Sequence, residues 1–195
     1  NAYGKSYSYD NTGRLTAYEG TSQPATNSFP LHAIKKSGYS YDAAGNLTKR
    51  GSQSLTWDHE NHLVAISGGG LPSESYLYDD QGIRVKKTSN GVDTYYVNQF
   101  YEVSGGVVTK YYYFNVPFLR IAMRKNGTLT YLHGDHLGST VLETVNGNPT
   151  ADQTYYAYGN QRDIGPVATD HKFTGQKQDN TGLVYMNARY YDPAI

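Results

Sequence analysis

Apolar and aromatic residues in this chain recur with period two over short runs and do not recur at helical spacing. Tyr7-Ser8-Tyr9, Tyr39-Ser40-Tyr41 and Leu55-Thr56-Trp57 are such runs. Period-two alternation marks a strand with one face buried and one face wet. The runs end alike. In Tyr41-Asp42-Ala43-Ala44-Gly45-Asn46-Leu47-Thr48, Tyr41 closes a strand and Asp42 opens a turn, where its carboxylate can accept backbone N–H groups two or more residues on. Gly45 supplies the left-handed residue that ends a type I turn. Leu47 then returns to the face of Tyr41. Tyr9-Asp10-Asn11-Thr12-Gly13-Arg14-Leu15 and Tyr78-Asp79-Asp80-Gln81-Gly82-Ile83-Arg84 repeat the unit. Trp57-Asp58-His59-Glu60-Asn61-His62-Leu63 repeats it with Trp for Tyr and Asn for Gly. The intervals between Tyr9, Tyr41, Trp57 and Tyr78 are 32, 16 and 21 residues, which predicts a repeat architecture with room for a degenerate copy in the first gap.

Further turns punctuate the rest. Asn90-Gly91, Asn126-Gly127 and Asn146-Gly147 are type I′ hairpin signals, and Gly105-Gly106 separates two more short runs. Residues 21–30 are polar with two prolines and read as a loop. Tyr111-Tyr112-Tyr113-Phe114 is aromatic on both faces, which predicts a central strand covered on both sides. No stretch combines helical periodicity with capping signals. The predicted fold class is all-β: repeated antiparallel hairpins forming a curved spiral ribbon or part of a β-shell, with almost no helix.

Composition narrows the chemistry. Seventeen basic and seventeen acidic residues give a formal net charge of zero, so charge offers no case for nucleic acid or an anionic membrane as partner. The 21 tyrosines supply large buried area with a polar tip. No cysteine is present, which excludes disulfides and thiolate metal sites. No run of about 18 apolar residues predicts a membrane-spanning helix. The chain starts at Asn1 without an initiator Met or signal peptide and stops at Ile195. Both ends read as cut, implying a fragment or a processed piece.

Four segments near the C-terminus carry a resemblance: residues 131–140, Tyr131-Leu132-His133-Gly134-Asp135-His136-Leu137-Gly138-Ser139-Thr140; Tyr156-Ala157-Tyr158-Gly159; Phe173-Thr174-Gly175-Gln176-Lys177-Gln178-Asp179; and residues 181–193, closing in Tyr190-Tyr191-Asp192-Pro193. Together with the Tyr-Asp copies, the chain resembles the RHS/YD-repeat proteins and their repeat-associated core, a family that includes bacterial toxin-encapsulating shells, wall-associated proteins and teneurins. The resemblance implies a hairpin ribbon over residues 1–130 and a core region over 131–195 continuous with it. It implies a secreted or cell-surface location. In toxin members an aspartyl autoprotease frees a C-terminal cargo, and Asp192-Pro193 is similar to the first of its two motifs. Sharing one proton needs two acids, so Asp192 alone implies no catalysis.

Other constellations read as structure. His133, Asp135 and His136 could ligate a metal, but a turn at Gly134-Asp135 explains them equally, and no cofactor is expected. Ser67-Gly68-Gly69-Gly70 lacks the spacing of a phosphate loop. Ser139 lacks a nucleophile elbow. Lys110 beside Tyr111–Tyr113 has the mix of single-strand nucleic-acid binders, discounted for lack of positive charge. Asp10, Gly13, Asp42, Gly45, Asp58, Asp79 and Gly82 are the expected turn residues, with Tyr9, Tyr41, Trp57 and Tyr78 as structural aromatics. The leading functional expectation is a non-catalytic structural shell or scaffold module, not an enzyme. Its partners would be the rest of a longer parent chain or copies of itself through β-edges, an encapsulated cargo, or a glycan, with no nucleic acid. The alternatives are a self-assembling extracellular fibre subunit, a carbohydrate-binding wall module, and the remnant of an autoprotease.

Overall fold

The computed structural model describes residues 5–11, 13, 15–18, 21, 22, 33, 36–114, 119–163, 165 and 167–194. Among them there is no α-helix, only a single 3-10 turn at Phe173–Gly175. The alternating runs become strands because their aromatic and β-branched side chains pack well on a pleated surface.

A short sheet comes first: β1 (Tyr7–Tyr9), β2 (Leu15–Tyr18) and β3 (Thr21–Ser22). A thirteen-stranded antiparallel meander follows, each strand pairing with its neighbours in sequence. It runs through β4 (Tyr39–Tyr41), β5 (Leu47–Arg50), β6 (Gln53–Trp57), β7 (Leu63–Gly68) and β8 (Glu74–Tyr78). It continues with β9 (Arg84–Ser89), β10 (Val92–Asn98), β11 (Tyr101–Ser104), β12 (Val107–Tyr113) and β13 (Arg120–Lys125). It ends in β14 (Thr128–Gly134), β15 (Thr140–Val145) and β16 (Asn148–Asp152). A second small sheet, β17 (Lys177–Gln178), β18 (Val184–Tyr185) and β19 (Tyr190–Tyr191), completes the chain.

The Asp-x-x-Gly segments lie at strand reversals. The N–H of Gly13, Gly45, Asn61 and Gly82 donates to the carbonyl of Asp10, Asp42, Asp58 and Asp79, respectively. Asp79 Oδ1 also accepts the Gln81 and Ile83 N–H groups at 3.0 and 2.8 Å, and Asp58 Oδ1 accepts those of Glu60 and His62. Asn61 holds φ at 65°, the left-handed region that asparagine tolerates after glycine. The C-terminal motifs build the same turn: Gly138 N–H bonds the Asp135 carbonyl, Gly159 that of Tyr156, Gly175 that of Lys172 and Gly182 that of Asp179.

The hairpins turning at Asp10, Asp42, Asp58, Asp79 and Asp135 carry a bulge beside the turn, as between Leu77 and Tyr78, where Tyr78 pairs with Arg84 and Leu77 with Lys86. A bulge adds one residue and breaks strict alternation. Residues three apart therefore share the buried face: Leu63 with Ile66, Arg84 with Lys87, Thr140 with Glu143.

That face is covered by the chain's own C-terminal segment, which runs back across the strands. Ala168 and Thr169 N–H groups bond the Glu143 carboxylate on β15 at 2.9 and 3.1 Å. Leu183 joins Leu55, Leu63, Ile66 and Tyr76 in the larger apolar cluster. Asp192 reaches Arg50 on β5. At the other side Tyr111, Met123 and Leu132 form a smaller cluster.

Three expectations need correction. The outer face of β12 is open, with Tyr112 39 % exposed and Phe114, just past the strand, 62 % exposed, because the covering segment lies on the other side only. The turn near His133 spans Asp135 to Gly138 rather than Gly134-Asp135, since Asp135 Oδ1 caps the Leu137 and Ser139 N–H groups. Thr21–Ser22 is a strand paired with β2. The rest of the predicted loop, residues 23–30, and any degenerate copy there lie outside the described residues.

Candidate functional site

The charged side chains that sequence reading passed over gather where the C-terminal segment crosses β8 to β12. Arg84 stands in the hairpin after Tyr78 where the other copies carry Leu15, Leu47 and Leu63, each paired with the aromatic residue before the turn. It therefore points inward and is 2 % exposed, while Ile83 is 44 % exposed. Its Nη1 donates to Asp179 Oδ2 at 2.6 Å. Lys87 Nζ donates to Asp179 Oδ1 at 2.9 Å. Glu74 accepts the Tyr76 hydroxyl at 2.7 Å and lies 3.9 Å from the Lys87 ammonium. Burial would strip these charges of water at several kcal/mol each, so mutual pairing is what makes the arrangement tolerable.

A second group lies beside it. Lys177 Nζ donates to Glu102 Oε2 at 2.6 Å and to Asp170 Oδ1 at 3.1 Å. Tyr111 gives its hydroxyl proton to Glu102 Oε1 at 2.9 Å. Burial opposes the Asp170 charge, but Lys177, with Lys87, outweighs it and holds the carboxyl well below the usual carboxylate range. His171 Nδ1 lies 2.9 Å from the Gly175 carbonyl, an acceptor only, so Nδ1 carries the proton and Nε2 a lone pair. Burial, reinforced by the Lys177 charge, pushes this imidazole well below its ordinary value and keeps it neutral.

Cations and tyrosines alternate through the site. Arg84 lies over Tyr185 and Tyr96 at 4.2 and 5.0 Å, Lys177 over Tyr96 and Tyr111 at 4.8 and 5.5 Å, and Arg120 over Tyr111 and Tyr113 at 5.3 and 5.5 Å. Such cation–ring contacts are favourable when desolvated. Two cavities of about 430 and about 410 Å3 open on this ladder, both bordered by Tyr96, Glu102 and Tyr111. The first also takes in Arg84, Arg120, His171 and Lys177. Chemically, it offers fixed cations, stacking faces and a neutral imidazole nitrogen.

Two groups of described residues bring three potential metal ligands within 4.8 Å: Asp58, Glu60 and His62 at one turn, and Glu102, Asp170 and His171 here. In the second the Lys177 ammonium already meets both carboxylates. His133, Asp135 and His136 form no such group. His133 Nε2 bonds Thr144 Oγ1 at 3.0 Å on the sheet surface, and Asp135 caps its turn. Asp192 is 8 % exposed and forms a two-pronged pair with Arg50, Nε to Oδ2 at 2.5 Å and Nη2 to Oδ1 at 2.6 Å. Of the structural aromatics, Trp57 and Tyr78 pack on the larger cluster; Trp57 Nε1 donates to the Leu47 carbonyl at 2.8 Å and the Tyr78 hydroxyl to that of Leu63 at 2.7 Å. Tyr41 is half-buried at the end of β4, and Tyr9 is 51 % exposed, its hydroxyl bonded to that of Tyr158. The only sequence signal for the buried charges was Arg84 in a leucine's place.

No family model matches the chain. It is 31 % identical over 210 residues to the tRNA3(Ser)-specific nuclease WapA of Bacillus spizizenii, covering 96 % of this chain and 9 % of that protein. The tRNA nuclease WapA of Bacillus subtilis strain 168 matches at the same identity and coverage. Toxin subunit YenC1 of Yersinia entomophaga is 26 % identical over 98 % of this chain and 25 % of its own length. The fold is that of the crystal structure of TcdB2-TccC3-Cdc42, with a TM-score of 0.72 at 19 % identity over 97 % of this chain and 12 % of that one. The chain thus spans about a tenth of the WapA proteins it matches. Those relatives are named as nucleases, which overturns the expectation of a non-catalytic structural shell or scaffold module that is not an enzyme. The fibre, wall-module and protease-remnant readings held beside it go with it. What the comparisons establish is similarity to toxin proteins and an antiparallel β architecture shared with Tc toxin structures.

Proposed function

We propose that this chain is part of a longer RHS/YD-repeat toxin polypeptide whose activity is cleavage of tRNA. The observation that carries this reading is 31 % identity to tRNA nucleases along 96 % of the chain. The repeated Tyr-Asp hairpins support the repeat family, and similarity to toxin subunit YenC1 supports a toxin context. The partner of the outermost strands, β4 and β16, is then the remainder of the same polypeptide, and its location is secreted or cell-surface. The test uses the complete natural polypeptide that contains this sequence, purified and incubated with total tRNA, with product ends mapped by sequencing. Cleavage at defined positions in one or a few tRNA species is the expected result. Intact tRNA after prolonged incubation would remove the nuclease reading.

A further inference from the structure

The ladder of cations and tyrosines has one unpaired rung. Arg84 is neutralised by Asp179, and Lys177 by Glu102 and Asp170. Arg120 has no carboxylate partner among the described residues. Its Nε and Nη1 make only long bonds, 3.3 Å to the Tyr113 hydroxyl and 3.4 Å to the Gly175 carbonyl. Nη2 has no hydrogen-bond partner among the described residues, and Arg120 borders the cavity. A guanidinium gripped by two rings and lacking a counter-charge is pre-organised for an anion, with its forked donors fixed in direction.

The cavity says what else the anion should carry. At about 430 Å3 it has the size of a small-ligand site. Its lining includes Tyr113 and Tyr185, each with a cation from a single described residue over its ring, and the amides of Asn98 and Gln99. Ring faces take a planar group by stacking, and amides read the hydrogen-bonding edge of a base.

We propose that this cavity binds a nucleoside monophosphate, with the phosphate on Arg120 and the base against the tyrosines. The choice of a phosphate over a carboxylate rests on the nuclease reading above.

Titration of the full chain with AMP, CMP, GMP and UMP by calorimetry tests the proposal. At least one nucleotide should bind saturably at one site. Inorganic phosphate alone should bind about tenfold or more weakly, since it lacks the stacking ring. Arg120→Ala should weaken nucleotide binding about tenfold or more, as loss of a charge-assisted hydrogen bond does. Should Arg120→Ala lose its circular-dichroism signature, Arg120→Lys keeps the charge over the rings but loses the fork, and should still weaken binding. Overturning results are no saturable binding by any nucleotide at millimolar concentration, equal binding of phosphate alone, or unchanged affinity in a folded Arg120 variant. This readout involves no cleavage, so it stands or falls separately from the tRNA assay.

Discussion

Strands β6 to β8 and strands β8 to β12 turn their buried faces to the same covering segment, yet they hold it by opposite means. Over β6 to β8 the contact is Leu55, Leu63, Ile66 and Tyr76 against Leu183. Over β8 to β12 it is Arg84 and Lys87 against Asp179, then Glu102 against Lys177. Apolar contact is non-directional and tolerates small shifts of the cover. Buried ion pairs are directional, and each partner is costly without the other. The first region supplies cohesion; the second fixes where the cover sits. The second also leaves cavities, because rigid charged side chains do not fill space as a hydrocarbon core does.

The largest effect expected from this contrast is at Asp179. Asp179→Ala removes the counter-charge of both Arg84 and Lys87 and should cost about 3–5 kcal/mol in urea unfolding. A loss as small as that of an exposed carboxylate would mean that water, not Asp179, satisfies these cations. On the apolar side, Leu63→Ala should cost about 3 kcal/mol through lost transfer energy and the cavity left behind. Leu63 is 1 % exposed, so little relaxation is available. A larger loss for Leu63→Ala than for Asp179→Ala would weaken the distinction between the regions.

Acid should separate the regions more gently. In the fold, His171 titrates below the ordinary imidazole value of 6.5, so as pH falls the unfolded chain takes up the proton first. The stability held by the neutral ring is complete above about pH 6.5 and declines below it, by at most about 1.4 kcal/mol per pH unit. Asp170, depressed below 3.8, adds stability above that value which is lost only in stronger acid. Urea midpoints between about pH 7.5 and about pH 5 should therefore fall in the wild type and in Leu63→Ala, but much less in His171→Gln. A parallel decline in His171→Gln would assign the acid sensitivity elsewhere. The smallest effect belongs to the turns. Asp42 Oδ1 accepts the Asn46 N–H at 2.8 Å. Asp42→Ala should cost about 1 kcal/mol, measured by thermal unfolding, and leave both regions of the cover intact.

The turns were legible because their chemistry is local. An aspartate that caps N–H groups two and four residues ahead, and a glycine or asparagine at positive φ, need nothing from the rest of the molecule. So Asp10, Asp42, Asp58 and Asp79 announced strand reversals from sequence alone. The same rule holds in the C-terminal motifs, at Asp135 to Gly138 and Asp179 to Gly182. The candidate site was not legible in this way. Apart from Asp170 and Lys177, its members, Arg84, Glu102 and Asp179, are far from their partners in sequence, and none carries a spacing that betrays its partner. Arg84 in a position where other copies place leucine was the one local inconsistency.

By itself, then, the sequence determined the β class, the hairpin meander and the tyrosine-rich character, since period-two alternation and turn chemistry act over a few residues. Only the tertiary structure decided which face is buried, because a bulge beside each Asp-opened turn of the first sheet and the meander changes the spacing of inward residues from two to three. It also decided that residues 168–192 fold back over that face and bring carboxylates to cations roughly a hundred residues away. Pairing at that range is enforced by the free energy of burying charge, a quantity that exists only once the sheet and its cover enclose the space between them.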